Sequence, residues 1–554
     1  MTRVLRSSTR KSQASKVSLP KASDPQKPKV TKRGRKKIED DKNEDKQHND
    51  IWSISSISLN IFSYTDFKDL FNINTVCKRW NQLTNPIIHK SLKLLRINDT
   101  QSDDIDEQFE TQVKVNAEAK ECIYNNSKYA KLVKQFTLSE RLSLRLSKKF
   151  FETFKFITVL KLDFVEMSED LFICVIKPLT VLEELILEEI CIENNRKKDL
   201  NLNAIQLPST LTKLSINNIE LAGNYEVFVK VINSHTSLKE FKIEDCTEPR
   251  FLDPFRKNYP SLKVFKYLNI FGTIDIHCSL LSIFEFNSQL HTVYFALNDL
   301  SVILMRHINQ YLTNLEEFYL DYSSSIVNLP IVTFELSHTT KIKRLILNMD
   351  NISTLSLNSL LLNSPCLNEI SLRKFSDREI GSFTSLNTTN LANVIELTLV
   401  CDHLSVSAFK HILLSCPQLK VLKVQIPREW KQCMMAIGSG CKNLKRLEII
   451  KPNIDHPQTF ERELHGVEFL SDETAYLNTL SHLIFHNLDY YTSKPEYFEK
   501  FKMLKSVTYL NQFRELREIG QQVNLNEELW SNYKISLNNR IIRFDVELRK
   551  INSY

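Results

Sequence analysis

One pattern governs most of this chain: Leu-x-x-Leu-x-Leu. It stands in full at Leu182-Leu185-Leu187 and, with one conservative change, at Leu211-Leu214-Ile216, Leu315-Phe318-Leu320, Leu419-Leu422-Val424 and Leu444-Leu447-Ile449. Allowing other apolar residues, fifteen copies begin at Val133, Ile157, Leu182, Leu211, Leu238, Leu262, Leu290, Leu315, Ile342, Leu367, Val394, Leu419, Leu444, Leu480 and Leu504. The steps between them run from 24 to 29 residues, save one of 36 after Leu444. Apolar residues two apart belong to a strand. Amphipathic helix patterns such as "SEDLFICVIKPL", "SVILMRHINQYL" and "SVSAFKHILLSC" lie between the frames. Neither a lone strand nor a lone helix can bury its apolar face, so neighbouring units must stack, and the expected fold is an α/β repeat solenoid. The long step implies an insertion around "DHPQTFERELHGVEFLSDETAY". The frame stops after Tyr509, and 513–554 is expected to cap the last coil.

Several helix patterns end in a small or turn residue with Cys or Pro just before the next frame, as in "NSPCLNEISL", "LSCPQLKVLKV", "SGCKNLKRLEI" and "KNYPSLKVF". These resemble the cysteine-containing, ribonuclease-inhibitor-like class of leucine-rich repeats. The resemblance implies a horseshoe of about fifteen strand–helix repeats over 129–512, with Cys366, Cys416 and Cys441 filling the core between coils.

Composition removes several alternatives. Glycine occurs only 8 times and no Walker or dinucleotide fingerprint is present, so a Gly-rich phosphate cradle is not expected. The 11 cysteines never form Cys-x-x-Cys, which disfavours a zinc cluster or a disulfide scaffold and suits reduced thiols in an intracellular core. No apolar run approaches the roughly 18 residues of a membrane span. The N-terminus lacks the apolar stretch of a secretory signal.

The net charge of +7 is concentrated. Residues 1–50 hold 15 Lys/Arg and 7 Asp/Glu, leaving −1 for the rest. This tail has almost no large apolar residues after Leu5 and is expected to be disordered. Its cluster Lys32, Arg33, Arg35, Lys36, Lys37 reads first as a nuclear import signal, then as a plain solvated tail. Its Arg-Gly-Arg core also resembles an AT-hook, and the acid-free first 23 residues have transit-peptide composition. A nuclear or cytoplasmic location, or both, is expected.

Between tail and repeats lies "SISSISLNIFSYTDFKDLFNINTVCKRWNQL". Phe67, Leu70, Ile73 or Asn74, Cys77, Trp80 and Leu83 recur at steps of three to four, one face of a helix pair, with Asp66 placed as an N-cap. The stretch resembles an F-box, most specifically through "VCKRW" and "IFSY". The family's opening Leu-Pro is replaced by Ser53-Ile54, and Thr65 stands where a leucine is usual. The resemblance implies a small all-α F-box over 51–97, a linker over 98–128, and a surface for a Skp-type adaptor at Ile57, Ile61, Phe62, Leu70, Val76, Cys77 and Trp80. Phe62, Val76 and Trp80 are expected to be exposed in an unpartnered chain.

Residues two, four and six after each frame start alternate away from the core and should read a partner. Among those named for charge, ten are acidic and eight basic, where a nucleic-acid groove should be consistently positive. The most binding-like group is Tyr294, Tyr319, Asp321, Arg344, Ile346 and Arg373, since Tyr and Arg dominate protein interfaces. His482 and His486 sit four apart in a strand frame, about 13 Å at 3.3 Å per residue, too far apart to share a metal ion. No catalytic constellation, metal site or cofactor is expected. The resemblance implies a non-catalytic substrate receptor of a Skp–cullin–F-box ubiquitin ligase, linked to a cullin through the adaptor. Two rivals stay open: a repeat scaffold without ligase function, and a nuclear factor binding DNA through its basic tail.

Overall fold

The computed structural model describes residues 3–4, 55–94, 105–194, 206–223, 225–246, 248–269, 276–321, 330–374, 386–401, 404–426, 430–451, 478–486, 495–512, 530–540 and 543–551. The basic cluster at 32–37, the pair Ser53-Ile54, the insertion around 455–476 and the start of the C-terminal cap lie outside them. The chain divides into two compact units, one of 1–165 with 174–182, the other of 166–173 with 183–554.

The first unit opens with three helices: α1 (Ser55–Ser63), α2 (Phe67–Asn74) and α3 (Lys78–Ile88). The Asp66 carboxylate caps α2, accepting from the Asp69 N–H at 2.8 Å. Cys77 caps α3, its sulfur accepting from the Trp80 N–H at 3.4 Å. Phe62, Leu70 and Ile88 form the centre, with Phe67, Ile73, Trp80, Leu83 and Ile87 around them. A clasp of amides joins α2 to α3: Asn74 donates to Thr84 (2.8 Å) and Asn85 (2.9 Å), and Asn81 donates to Asn74 (2.9 Å).

Chain then passes directly into β1 (Ser91–Lys93), α4 (Ile105–Asn126), β2 (Gln135–Leu138), α5 (Leu144–Thr153) and β3 (Val159–Asp163). The three strands pair in parallel, aligning Leu92, Phe136 and Leu160. β1 is a strand that the frame search misses. Its first apolar position is His89, buried and stacked on Tyr129 at 3.8 Å. The expected linker 98–128 instead contains α4, which buries Val115, Ala119, Cys122 and Ile123. Those residues fall at helical spacing, but the charges between them hide the stripe. Arg3 and Val4, expected to be disordered, pair in parallel with Leu92 and Lys93, whose edge leaves backbone groups open.

In the second unit each frame supplies one strand: β4 (Glu184–Glu188), β5 (Lys213–Asn217), β6 (Glu240–Glu244), β7 (Val264–Leu268), β8 (Thr292–Ala296) and β9 (Glu317–Asp321). There follow β10 (Arg344–Asn348), β11 (Glu369–Lys374), β12 (Glu396–Cys401), β13 (Val421–Gln425), β14 (Arg446–Ile450), β15 (His482–His486) and β16 (Ser506–Gln512). Each pairs in parallel with the next, in frame register. The ladder ends with β17 (Tyr533–Arg540) and β18 (Arg543–Lys550), an antiparallel hairpin whose β18 pairs with β16.

The residue three before the frame start is a second recurrent structural position. It is buried at Tyr259, Asn287, Leu312, Leu391, Cys416 and Phe501, and its carbonyl accepts from the N–H of the frame residue at 3.0–3.2 Å. Cys416 and Cys441 occupy it, and burial pushes both thiols up to about 12. Cys366 does not: it is exposed, because Ser364 holds the buried position in that repeat and Cys366 falls one residue before the frame. Where the position is polar it links repeats. His235 bonds the Leu211 carbonyl (2.8 Å), Tyr259 donates to the His235 carbonyl (3.0 Å), and Asn287 accepts from the Tyr259 N–H (2.9 Å) while donating to Phe255 (2.7 Å).

Strand–helix alternation is incomplete. Helices α6 (Glu226–Asn233), α7 (His277–Phe286), α8 (Val302–Tyr311), α9 (Thr354–Leu362), α10 (Val406–Leu414) and α11 (Trp430–Gly440) follow their strands as expected. Residues 330–343, however, run without a helix, and only a 3-10 turn, Thr389–Asn393, precedes β12. "PIVTFELSHTTK" is rich in β-branched residues and opens on proline, both poor in a helix. Four residues take left-handed backbone directly after a strand: Phe164 (φ 56°), Glu189 (49°), Asn218 (46°) and Asp245 (48°).

Replacing Asn287 by Leu should lower unfolding stability by about 2–3 kcal/mol, since it orphans buried partners in two adjacent repeats. Ser288→Ala, at an exposed neighbour, should change it by less than about 0.5 kcal/mol. Urea denaturation followed by circular dichroism checks both.

Candidate functional site

The helical module divides the seven residues expected to hold an adaptor. Phe62 and Leu70 are 2% and 1% exposed and belong to its own core. Trp80 is half-buried, its ring edge-on to Phe62 at 5.8 Å. Cys77 is exposed, yet its sulfur serves as a helix cap. Ile57, Ile61 and Val76 are open to solvent. So are Leu59, Tyr64 and Phe71. The division has a simple cause. A three-helix module this small needs its largest apolar side chains for its own core, so the pattern of three and four marks what is inside. Its outward apolar residues are those left off that stripe. They lie on α1, just after it, on α2 and at the turn before α3.

The second unit presents the alternate strand residues as a continuous face. In β6 and β9, for example, the first, third and fifth residues are half-exposed while Phe241, Ile243, Phe318 and Leu320 are buried. Register brings the expected cluster together. Tyr294, Tyr319, Ile346 and Ser371 stand side by side on β8–β11, and the two tyrosine rings lie 5.5 Å apart. Tyr294 donates to Asp321 at 2.9 Å and Tyr319 to Glu317 at 3.2 Å. Arg344 reaches Glu369 (2.6 Å), Glu317 (3.4 Å) and the Tyr319 hydroxyl (3.2 Å), while Arg373 pairs with Asp321 (3.6 Å). Burial, and then the Asp321 charge, push the Tyr294 phenol above its ordinary range. Beside this group Glu240, Lys242, Lys266, Thr292, Tyr294 and Glu317 line an open depression of about 530 Å³. Its charges are already paired, Lys242 with Glu244 at 2.6 Å and Lys266 with Glu240 at 2.7 Å.

A further group lies on β13–β15. Glu448, 7% exposed, has three close side-chain partners: Arg446 on one carboxylate oxygen (Nε at 2.7 Å), with Lys423 (3.5 Å) and the His486 imidazole Nε2 (3.0 Å) on the other. Burial raises its pKa, but the His486 hydrogen bond and the charges of Lys423 and Arg446 outweigh this and hold it at about 2. His482 and His486 lie at the two ends of one strand. Burial and the positive charges of Arg446 and Lys505 lower the pKa of His482.

Residues 55–94 match the F-box-like family. No curated protein sequence matches the chain. Among solved structures, the Rad7–Elc1 complex of yeast aligns at 13% identity over 80% of this chain and 95% of that one, with a TM-score of 0.33. A complex of TLR13 with single-stranded RNA aligns at 16% identity over 68% of this chain and 60% of that one, with a TM-score of 0.37.

Phe62→Ala should destabilise the helical module by about 3–5 kcal/mol, whereas Val76→Ala should stay within about 0.5 kcal/mol. Amide hydrogen exchange over 55–90 separates the two. Glu448 predicts a pH effect of definite sign. Its folded pKa lies below its unfolded one, so its contribution is complete above the ordinary carboxylate range and is lost as pH falls towards about 2. Across that interval Glu448→Gln should lose about 1–2 kcal/mol less than the native chain, read from melting curves at each pH.

Proposed function

We propose that this chain is a substrate receptor of a Skp–cullin–F-box ubiquitin ligase, its repeats being leucine-rich repeats. The F-box-like match at 55–94 carries the reading, and the exposed Ile57, Ile61 and Val76 on that segment supply an apolar surface for a Skp-type adaptor. A protein substrate is held by the strand face, with Tyr294, Tyr319, Asp321, Arg344, Ile346 and Arg373 as its centre. That face supports a protein partner because its charges alternate in sign and two tyrosines and two arginines converge there. The receptor contributes proximity and orientation, and the ubiquitin chemistry belongs to other subunits. The basic cluster Lys32, Arg33, Arg35, Lys36 and Lys37 serves nuclear import.

The test is co-expression with a Skp-type adaptor followed by size-exclusion chromatography. The native chain should co-elute. Ile61→Ser with Val76→Ser should abolish co-elution without lowering the melting temperature, since neither side chain is in the core. Trp80 is unsuitable for this purpose because it packs on Phe62. Tyr319→Ala with Arg344→Ala should release co-purifying substrate while retaining the adaptor. A native chain that stays soluble yet never meets the adaptor would leave a repeat scaffold without ligase function.

A further inference from the structure

Charge is distributed unequally along the strand face. Over β6–β11, counting each strand and the residue before it, eight Lys/Arg stand against six Asp/Glu. There Lys242, Lys266, Arg344 and Arg373 each have a carboxylate within 4 Å. Over β13–β16 the same positions hold Lys420, Lys423, Lys445, Arg446 and Lys505 against Glu448 alone.

These cations are grouped by the backbone. The Lys445 N–H donates to the Lys420 carbonyl, Ser481 to Lys445 and Lys505 to Ser481, each at 2.8 Å. The residues before successive strands are thereby stacked at the strand spacing, about 4.8 Å per step. Lys420, Lys445 and Lys505 are exposed, and the Lys423 and Arg446 side chains are 35% and 49% exposed. Arg446 turns Nε and one terminal nitrogen to Glu448. A guanidinium has five N–H groups and an ammonium three, so both residues keep donors for an outside acceptor. Burial first, and then the charges of Arg446 and Lys505 against that of Glu547, lower the pKa of His482 beside them.

We infer that the face over β13–β16 receives an acidic segment of a protein partner, whose carboxylate or phosphate oxygens are bound by Lys423 and Arg446 with Lys420, Lys445 and Lys505 alongside. This rests on the reading that the strand face holds the substrate, and it specifies the substrate's chemistry there. A protein segment suits the patch better than a nucleic acid. The patch spans four strands, about 15 Å, and is bordered by Glu396 on β12 and by Glu547 on β18. A polynucleotide continuing along the face would meet the balanced charges of β6–β11 rather than a positive groove.

The test uses the full-length chain with Lys32, Arg33, Arg35, Lys36 and Lys37 changed to Gln, so that the tail does not capture the probe. Fluorescence anisotropy is measured with labelled ten-residue peptides that are glutamate-rich, phosphoserine-containing or serine-containing, and with a ten-nucleotide single strand. At least one acidic peptide should bind, and the stronger of the two identifies carboxylate or phosphate as the preferred group. Lys423→Gln with Arg446→Gln should weaken that binding about tenfold. Because those changes also strip Glu448 of partners, Lys420→Gln with Lys445→Gln provides an independent variant, expected to weaken binding about fivefold with the melting temperature unchanged. Lys242→Gln with Lys266→Gln should alter it less than about twofold. The inference is overturned if neither acidic peptide binds, if all variants bind like the parent, or if the oligonucleotide binds more tightly than both acidic peptides. Adaptor co-elution of the same proteins is scored separately. Its absence with peptide binding intact would remove the ligase reading and leave this site standing.

Discussion

Backbone hydrogen bonds between successive parallel strands hold the second unit in one register from β4 to β16. The second apolar residue of each frame lies beside its counterpart, so Phe241, Phe265, Val293, Phe318 and Leu345 form a single buried row. A slip of one residue would turn every one of these side chains to solvent, which is why the register is strongly specified. The same constraint produces the outer face. Residues some 25 positions apart become lateral neighbours, and ion pairs such as Lys266–Glu240 and Arg344–Glu369 are consequences of the ladder.

The helical module follows a different logic. With no ladder to hold it, α1–α3 depend on Phe62, Leu70 and Ile88 and on the amide clasp around Asn74. Little apolar material remains for a partner, and what remains is spread over Ile57, Leu59, Ile61, Tyr64, Phe71 and Val76. Over β6–β11 the repeat face is instead largely self-satisfied, Lys242, Lys266, Arg344 and Arg373 each meeting a carboxylate. A partner there must exchange existing ion pairs for new ones, which favours specificity over raw affinity.

The strands were highly legible in the sequence. Every one of the fifteen frames carries a strand, because a period of two with a fixed apolar triplet has few other readings. β1 escaped because His89 replaced the first apolar residue, and its stacking on Tyr129 is a contact no pattern announces. The intervening segments were less legible: 330–343 has no helix, and α4 was hidden by its charges. At the sites, the sequence brought the Tyr294–Arg373 group to one place because register follows from the frame. Phe62, expected to be exposed in an unpartnered chain, lies in the module's own core, since apolar periodicity reports burial and is silent on whether the burying surface is internal or a partner's. Cys366 failed for a related reason: a position two residues away, at Ser364, decides what faces inward.

The left-handed residues after the early strands bear on how far this chain stands from its own stability limit. Asn218 and Asp245 are residue types that tolerate such backbone, but Phe164 and Glu189 are not, and each carries roughly 1–2 kcal/mol of steric strain. Glycine, the usual occupant of such corners, is almost wholly absent from the chain. A repeat fold tolerates this because each corner is braced by its neighbour: the Glu189 N–H donates to the Asn217 carbonyl and that of Asn218 to Glu244, at 2.9 Å each. Stability in such an array is pooled, so individual corners can drift to unfavourable side chains without loss of the fold. Glu189 thus marks a corner whose strain is carried by the stack, and where an engineer would find stability still unclaimed.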